Sequence, residues 1–180
     1  MEETGRLRII HCLRTPVGGV FRHVRDLIDA QSAAGHAVGL VCDDDTGGLH
    51  ETALLKDLGG RLELGLHRIP MARSIGPRDF AAAGRMTGLV RPLRPDVIHG
   101  HGAKGGTYAR LVGTALRISG RKVGRFYSPH GGSLHFPKTS LEGRVYFTVE
   151  RLFERMTDGL GFVSRFGFTP SFCSFTASFT

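Results

Sequence analysis

The sequence predicts an α/β fold, a parallel sheet with helices on both faces, on three observations. Short apolar runs alternate with segments of helical periodicity along most of the chain. The runs close on glycine, proline or aspartate, and parallel neighbours need the crossover connections that the helical segments supply. A length of 180 residues suits one compact core rather than two full-sized domains.

Residues 7–13 (LRIIHCL) form a short apolar run ended by Pro16 and Gly18-Gly19, the pattern of a buried first strand. Val20, Val24, Leu27 and Ile28 then recur at helical spacing until Gly35, with Arg22, Arg25 and Asp29 on the wet side. Residues 37–42 (AVGLVC) are the second strand, closed by three aspartates, and a weak helix spans 50–58. A third strand over 62–69 is interrupted by Gly65 and His67.

Between residues 78 and 93, Ala82, Met86, Leu89, Val90 and Leu93 mark a helix, with Pro92 and Pro95 at its exit. Residues 96–99 (DVIH) are a fourth strand, and Tyr108, Leu111, Val112, Ala115 and Leu116 give the next helix its stripe. A fifth strand over 122–127, a long helix through Val145, Val149, Leu152, Phe153 and Met156, and a sixth strand over 159–163 complete the alternation, with Ser164 capping a further helix. The expected architecture is a Rossmann-like, doubly wound parallel sheet.

Composition narrows the function. Hydrophobic residues at 41% and charged residues at 22% are those of an ordinary globular protein, and no apolar run approaches the roughly 20 residues that cross a bilayer. The N-terminus MEETGRLRII fits neither a secretory signal nor a transit peptide, so a cytoplasmic location is expected. Cys12, Cys42 and Cys173 are too scattered for a disulfide framework or a CxxC metal site. The net charge of +8 favours anionic partners. No dense basic block interleaved with aromatics accompanies it, so nucleic acid is not expected.

Three glycine pairs, Gly18-Gly19, Gly105-Gly106 and Gly131-Gly132, follow the first, fourth and fifth strands. That puts all three at the carboxyl edge, where doubly wound sheets bind ligands in the crevice between the first and fourth strands. Glycine there admits a phosphate to the backbone, and a helix N-terminus adds free N–H groups with partial positive charge. The spacing at the first pair, Gly18-Gly19, is not the full G-x-G-x-x-G, and no Walker loop ending in Gly-Lys-Ser/Thr is present, which argues against NAD(P) binding and P-loop hydrolysis.

His99 and His101 end the fourth strand and His130 follows the fifth, in SPHGG. Each could be a hydrogen-bonded core histidine, but position at the ligand edge moves His130 toward function. The H-x-H spacing places two side chains on one strand face, so a metal among His99, His101 and His130 is an alternative. Only Asp96, at the far end of the strand, offers a carboxylate, and no metal site is expected.

The stretches RIIHCLRTPVGGVFRHVRDLIDAQSAAGHAV, RPDVIHGHGAKGG, FYSPHGG and GFVSRF, in this order, resemble the N-terminal domain of the family 4, GT-B-fold, retaining glycosyltransferases. The resemblance covers the chain from residue 7 to about 166. It implies one half of a GT-B fold, with an acceptor-side domain over 5–166 and an atypical tail over 167–180. Further, it implies that Gly18-Gly19 approach the donor diphosphate and that His130, the expected catalytic residue, lies near the transferred sugar. His99, His101, Gly105, Gly106, Gly131 and Gly132 are expected to bind donor phosphate or acceptor. A nucleotide-diphosphate sugar is the implied co-substrate, with no cofactor and no metal; a glycan or lipid-linked glycan is the hydroxyl acceptor, and polysaccharide biosynthesis the setting. Peripheral contact with the inner face of a membrane would suit a lipid-linked acceptor.

One departure is large: the family's second domain is absent from these residues, so the chain is expected to be a fragment, inactive alone. Glu142 and Glu150 reproduce an E-x7-E spacing, but the family's E-x7-E signature belongs to that second domain, and a solvated charged face accounts for them. The tail from 168 to 180 holds four phenylalanines, no charge and no helical period, which reads as disorder or an abnormal end to a longer reading frame. Two rival functions are a stand-alone phosphate- or glycan-binding module and a small His-dependent metal hydrolase.

Overall fold

The computed structural model describes residues 5–73, 78–130 and 151–162. Its strands are β1 (Arg8–Leu13), β2 (Ala37–Asp43), β3 (Leu66–Ile69), β4 (Val97–His101), β5 (Gly124–Ser128) and β6 (Gly159–Leu160). The helices are α1 (Gly18–Ala33), α2 (Leu49–Gly59), α3 (Arg78–Val90) and α4 (Gly102–Ile118), with a 3-10 turn at Arg91–Leu93 and helical residues at 151–154. All five strand pairings are parallel, in the order β3-β2-β1-β4-β5-β6. The strand order reverses between β1 and β4, which puts the crevice of a doubly wound sheet beyond Leu13 and His101, themselves partners in register.

Each sheet face carries its own core. Ile10, Cys12, Val41 and Ile98 pack with Met86, Tyr108, Val112 and Leu116 of α3 and α4. Leu13, Val38, Leu40 and Cys42 pack on the other face with Phe21, Val24 and Ile28 of α1 and Leu55 and Leu58 of α2. Alternate residues of β1 and β2 therefore serve opposite layers, the period expected of a doubly covered strand. Burial pushes the Cys42 thiol up to about 12 and the Cys12 thiol higher still, as suits unreactive core cysteines.

Several boundaries differ from the sequence expectation: β5 runs from Gly124 to Ser128 rather than over 122–127, β6 is Gly159–Leu160 rather than 159–163, and β3 and β4 shift as well. The third strand begins only at Leu66, because Gly65 turns the chain at φ +80° and leaves Leu62 and Leu64 buried in the preceding turn. β4 extends through His101, and α4 starts at the next residue without a loop.

At the far edge Asp158 ties β6 to β5. It accepts hydrogen bonds from the Arg125 backbone N–H at 2.8 Å and from the Arg125 and Arg117 guanidiniums. Burial pushes its carboxyl up, but the Arg125 bonds and both positive charges outweigh this and hold it below the usual carboxylate range. Among the described residues no helix is long and apolar enough to cross a membrane. Gly131, Gly132, Glu142, Glu150, Ser164, Cys173 and the tail over 167–180 lie outside the described residues.

Candidate active site

Gly18 and Gly19 open α1 at the carboxyl end of β1, exposed. Gly18 takes φ +63°, and a Cβ on either residue would meet nothing within 4 Å. The residue before them, Val17, has no side-chain hydrogen bond to offer, and the first turn carries no acid. The N–H groups of that turn therefore face outward without a side-chain cap, the arrangement that attracts an anion.

Gly105 and Gly106 are placed differently. They lie inside α4, buried against the sheet, rather than in a turn. A Cβ on Gly105 would sit 2.3 Å from the carbonyl oxygen of Cys12, and one on Gly106 would sit 2.3 Å from the Tyr127 ring. Gly100 of β4 closes the same contact from below, since its Cβ would lie 2.4 Å from the Gly105 carbonyl. These three glycines let the helix and the sheet approach closely, and that approach faces protein rather than the crevice.

The histidines converge. Register sets His11 of β1 beside His99 of β4, on the sheet face that α1 covers. His11 and His101 are buried, His99 half-buried. Nδ1 of His11 lies 2.9 Å from Nε2 of His101, and Nδ1 of His101 lies 3.0 Å from Nε2 of His130. Nε2 of His11 meets Oε1 of Gln31 at 2.8 Å, and Nε2 of His99 meets Ser128 Oγ at 2.9 Å. His23, on α1, sets its ring edge-on to His130 with centroids 5.3 Å apart. His130 itself holds φ +50°, a left-handed conformation uncommon outside glycine.

His11, His99, His101 and His130 are biased toward their neutral forms. Burial drives His11 down to about 4 against the upward pull of its Gln31 bond, and drives His99 down to about 3 with help from neighbouring histidines. His101 is lowered further for the same reasons, and half-buried His130 is lowered by burial and by His23.

His11, His99 and His101 each offer a ring nitrogen within 4.8 Å of the others, and so form the metal candidate among the described residues. The fit is poor. Two nitrogens on a tetrahedral zinc stand roughly 3.3 Å apart at the usual bond length, whereas His11 and His101 close to a direct 2.9 Å hydrogen bond. Both nitrogens of His11 and of His101 are already engaged, and Nε2 of His99 is held by Ser128 Oγ.

Sequence reading singles out His99, His101 and His130 but not His11, His23 or Gln31. For Gln31 a signal exists: it falls three residues after Ile28 on the stripe of Phe21, Val24 and Ile28, where an apolar residue belongs. A separate concavity of about 510 Å³ near the ends of β2 and β3, lined by Arg14, Asp43, Asp44, Arg73 and Arg85 among others, includes none of the predicted site residues.

The family model described as a glycosyl transferase 4-like domain matches residues 18–167, a span that takes in the α1 glycines, the H-x-H strand and His130. The chain belongs to the glycosyl transferase 4-like family. Solved structures share the fold of this glycosyl transferase 4-like chain at low identity. They include MurG of Acinetobacter baumannii (TM-score 0.59, 16% identity, 91% of this chain and 42% of that one). A glycosyltransferase of Rickettsia africae ESF-5 aligns with TM-score 0.50 and 14% identity over 93% of this chain and 47% of its own. A protein described as a UDP-N-acetylglucosamine 2-epimerase, from Listeria monocytogenes, aligns with TM-score 0.54 and 10% identity over 89% of this chain and 40% of its own. The glycosyl transferase 4-like chain thus spans less than half the length of these structures. No curated protein matches it.

Proposed function

We propose that this chain is the acceptor-side half of a retaining glycosyltransferase that moves a sugar, of hexosyl type, from a nucleotide-diphosphate donor to a hydroxyl acceptor. The family match over residues 18–167 carries the reading. Fold alone would not, since one of the similar structures is described as an epimerase. In the proposed reaction the bond from the sugar's anomeric carbon to the diphosphate breaks and one to the acceptor oxygen forms, with the acceptor proton leaving on the departing diphosphate. The uncapped N–H groups at Gly18 and Gly19 would stabilise the negative charge of that leaving group. A neutral His130 would accept a hydrogen bond from a sugar or acceptor hydroxyl, an interaction that counts most as the anomeric carbon becomes electron-poor. His99 and His101 line the same edge, while Gly105 and Gly106 would act only through helix placement.

The donor needs no metal or cofactor in this reading, and the acceptor is a glycan or lipid-linked glycan in a polysaccharide pathway. A cytoplasmic setting with peripheral membrane contact fits such an acceptor and the positive charge. Because half of a GT-B cleft leaves a leaving group in water, the chain by itself should bind donor weakly and transfer nothing.

The test uses isotope-labelled chain titrated with nucleotide-diphosphate sugars and short glycans and read by NMR. Weak binding that shifts the amides of Gly18, Gly19 and His130, lost in His130→Ala and without product, is the expected result. Robust multiple-turnover transfer would sink the half-cleft reading. Glycan binding with no response to any nucleotide would favour a stand-alone binding module.

A further inference from the structure

The contacts of the histidine cluster form a continuous line: Gln31 Oε1, His11 Nε2, His11 Nδ1, His101 Nε2, His101 Nδ1, His130 Nε2. Three hydrogen bonds of 2.8, 2.9 and 3.0 Å join four residues from α1, β1, β4 and the segment after β5. A neutral imidazole carries one N–H and one lone pair, so the direction of one bond fixes the direction of the next. The amide oxygen of Gln31 only accepts, so His11 must carry its proton on Nε2 and offer a lone pair at Nδ1. His101 must then donate from Nε2 and accept at Nδ1. His130 must donate from Nε2, which leaves Nδ1 as a lone-pair acceptor. Reversing the Gln31 amide would reverse every bond and turn His130 Nδ1 into a donor.

We infer that Gln31 is a positioning residue that sets the tautomer of His130 through His11 and His101, so that His130 presents an acceptor to a hydroxyl-bearing ligand. The function of that tautomer rests on the reading of His130 given above; the relay itself does not. A sugar hydroxyl donates readily to a lone pair, whereas a donor tautomer would compete for the oxygen electrons of the acceptor. The relay explains why a half-buried glutamine occupies the apolar stripe of α1 and why two histidines lie buried without a carboxylate among their hydrogen-bond partners. His23 and His99 flank the line, but the three bonds that form it run through neither.

The experiment is long-range proton–nitrogen NMR on the chain labelled with ¹⁵N-histidine at neutral pH, which reads each imidazole's tautomer directly. His11, His101 and His130 should all be protonated on Nε2. Gln31→Leu removes the accepting oxygen and should lower the Nε2–H to Nδ1–H ratio of His130 about fivefold or more, while Gln31→Glu, still an acceptor, should keep it. In His101→Phe the ratio at His130 should no longer respond to Gln31→Leu. An Nδ1-protonated His130 in the parent, or a His130 ratio unmoved by Gln31→Leu in folded protein, overturns the relay. So would stoichiometric zinc that shifts His11, His99 and His101 together, which would make the cluster a metal site. Failure of the glycosyltransferase reading would appear separately, as no ligand response with the tautomers as expected.

Discussion

Gly106 of α4 lies so close to Tyr127 of β5 that a methyl group on the glycine would stand 2.3 Å from the ring carbons. Tyr127 is fully buried, with the Arg110 guanidinium 4.2 Å above its ring. It has no room to yield.

Gly106→Ala should therefore destabilise the chain by about 3 kcal/mol, at the upper end of overpacking costs. Gly105→Ala should do at least as much, because its Cβ would meet the Cys12 backbone rather than a side chain. Urea unfolding of both variants checks this. A midpoint within experimental error of the parent would show that helix and sheet can separate at no cost.

Gly19 is the contrasting case. Its Cβ would meet nothing, so Gly19→Val should leave stability within about 1 kcal/mol of the parent. The branched side chain should nonetheless obstruct the helix N-terminus. Pyrophosphate titration is expected to show binding weakened tenfold or more, and unchanged affinity would remove this turn from the proposed anion site.

Acid should destabilise the fold through the histidines. The folded-state values of His11 and His99 lie below the ordinary 6.5, at about 4 and about 3. As pH falls below 6.5 the unfolded chain takes up protons that the buried rings refuse, so stability is full above that value and drains away toward pH 4. His11 alone accounts for roughly 3 kcal/mol of this loss. Denaturant melts at pH 7 and pH 4.5 should show it, and His11→Gln should flatten the slope. A parent profile flat over that interval would contradict neutral burial.

The alternation of apolar runs with helical stripes determined the doubly wound sheet, because burial on two faces requires those periods locally. It also placed Gly18 and Gly19 at an exposed helix start and His99 and His101 on one face of β4, since both follow from spacing within a few residues. Only the tertiary structure decided what surrounds them. His11 reads as one polar interruption in a buried strand; it becomes a partner of His101 because β1 pairs with β4, a neighbour 90 residues away in the chain. Gln31 reads as a flaw in a helix stripe until α1 packs over that pair. Gly105 and Gly106 read as a phosphate turn, yet with no loop between β4 and α4 they fall inside a helix. Local periodicity reports which face of an element is buried, while the identity of the atoms opposite is fixed by strand order and register, which join residues that the sequence keeps far apart.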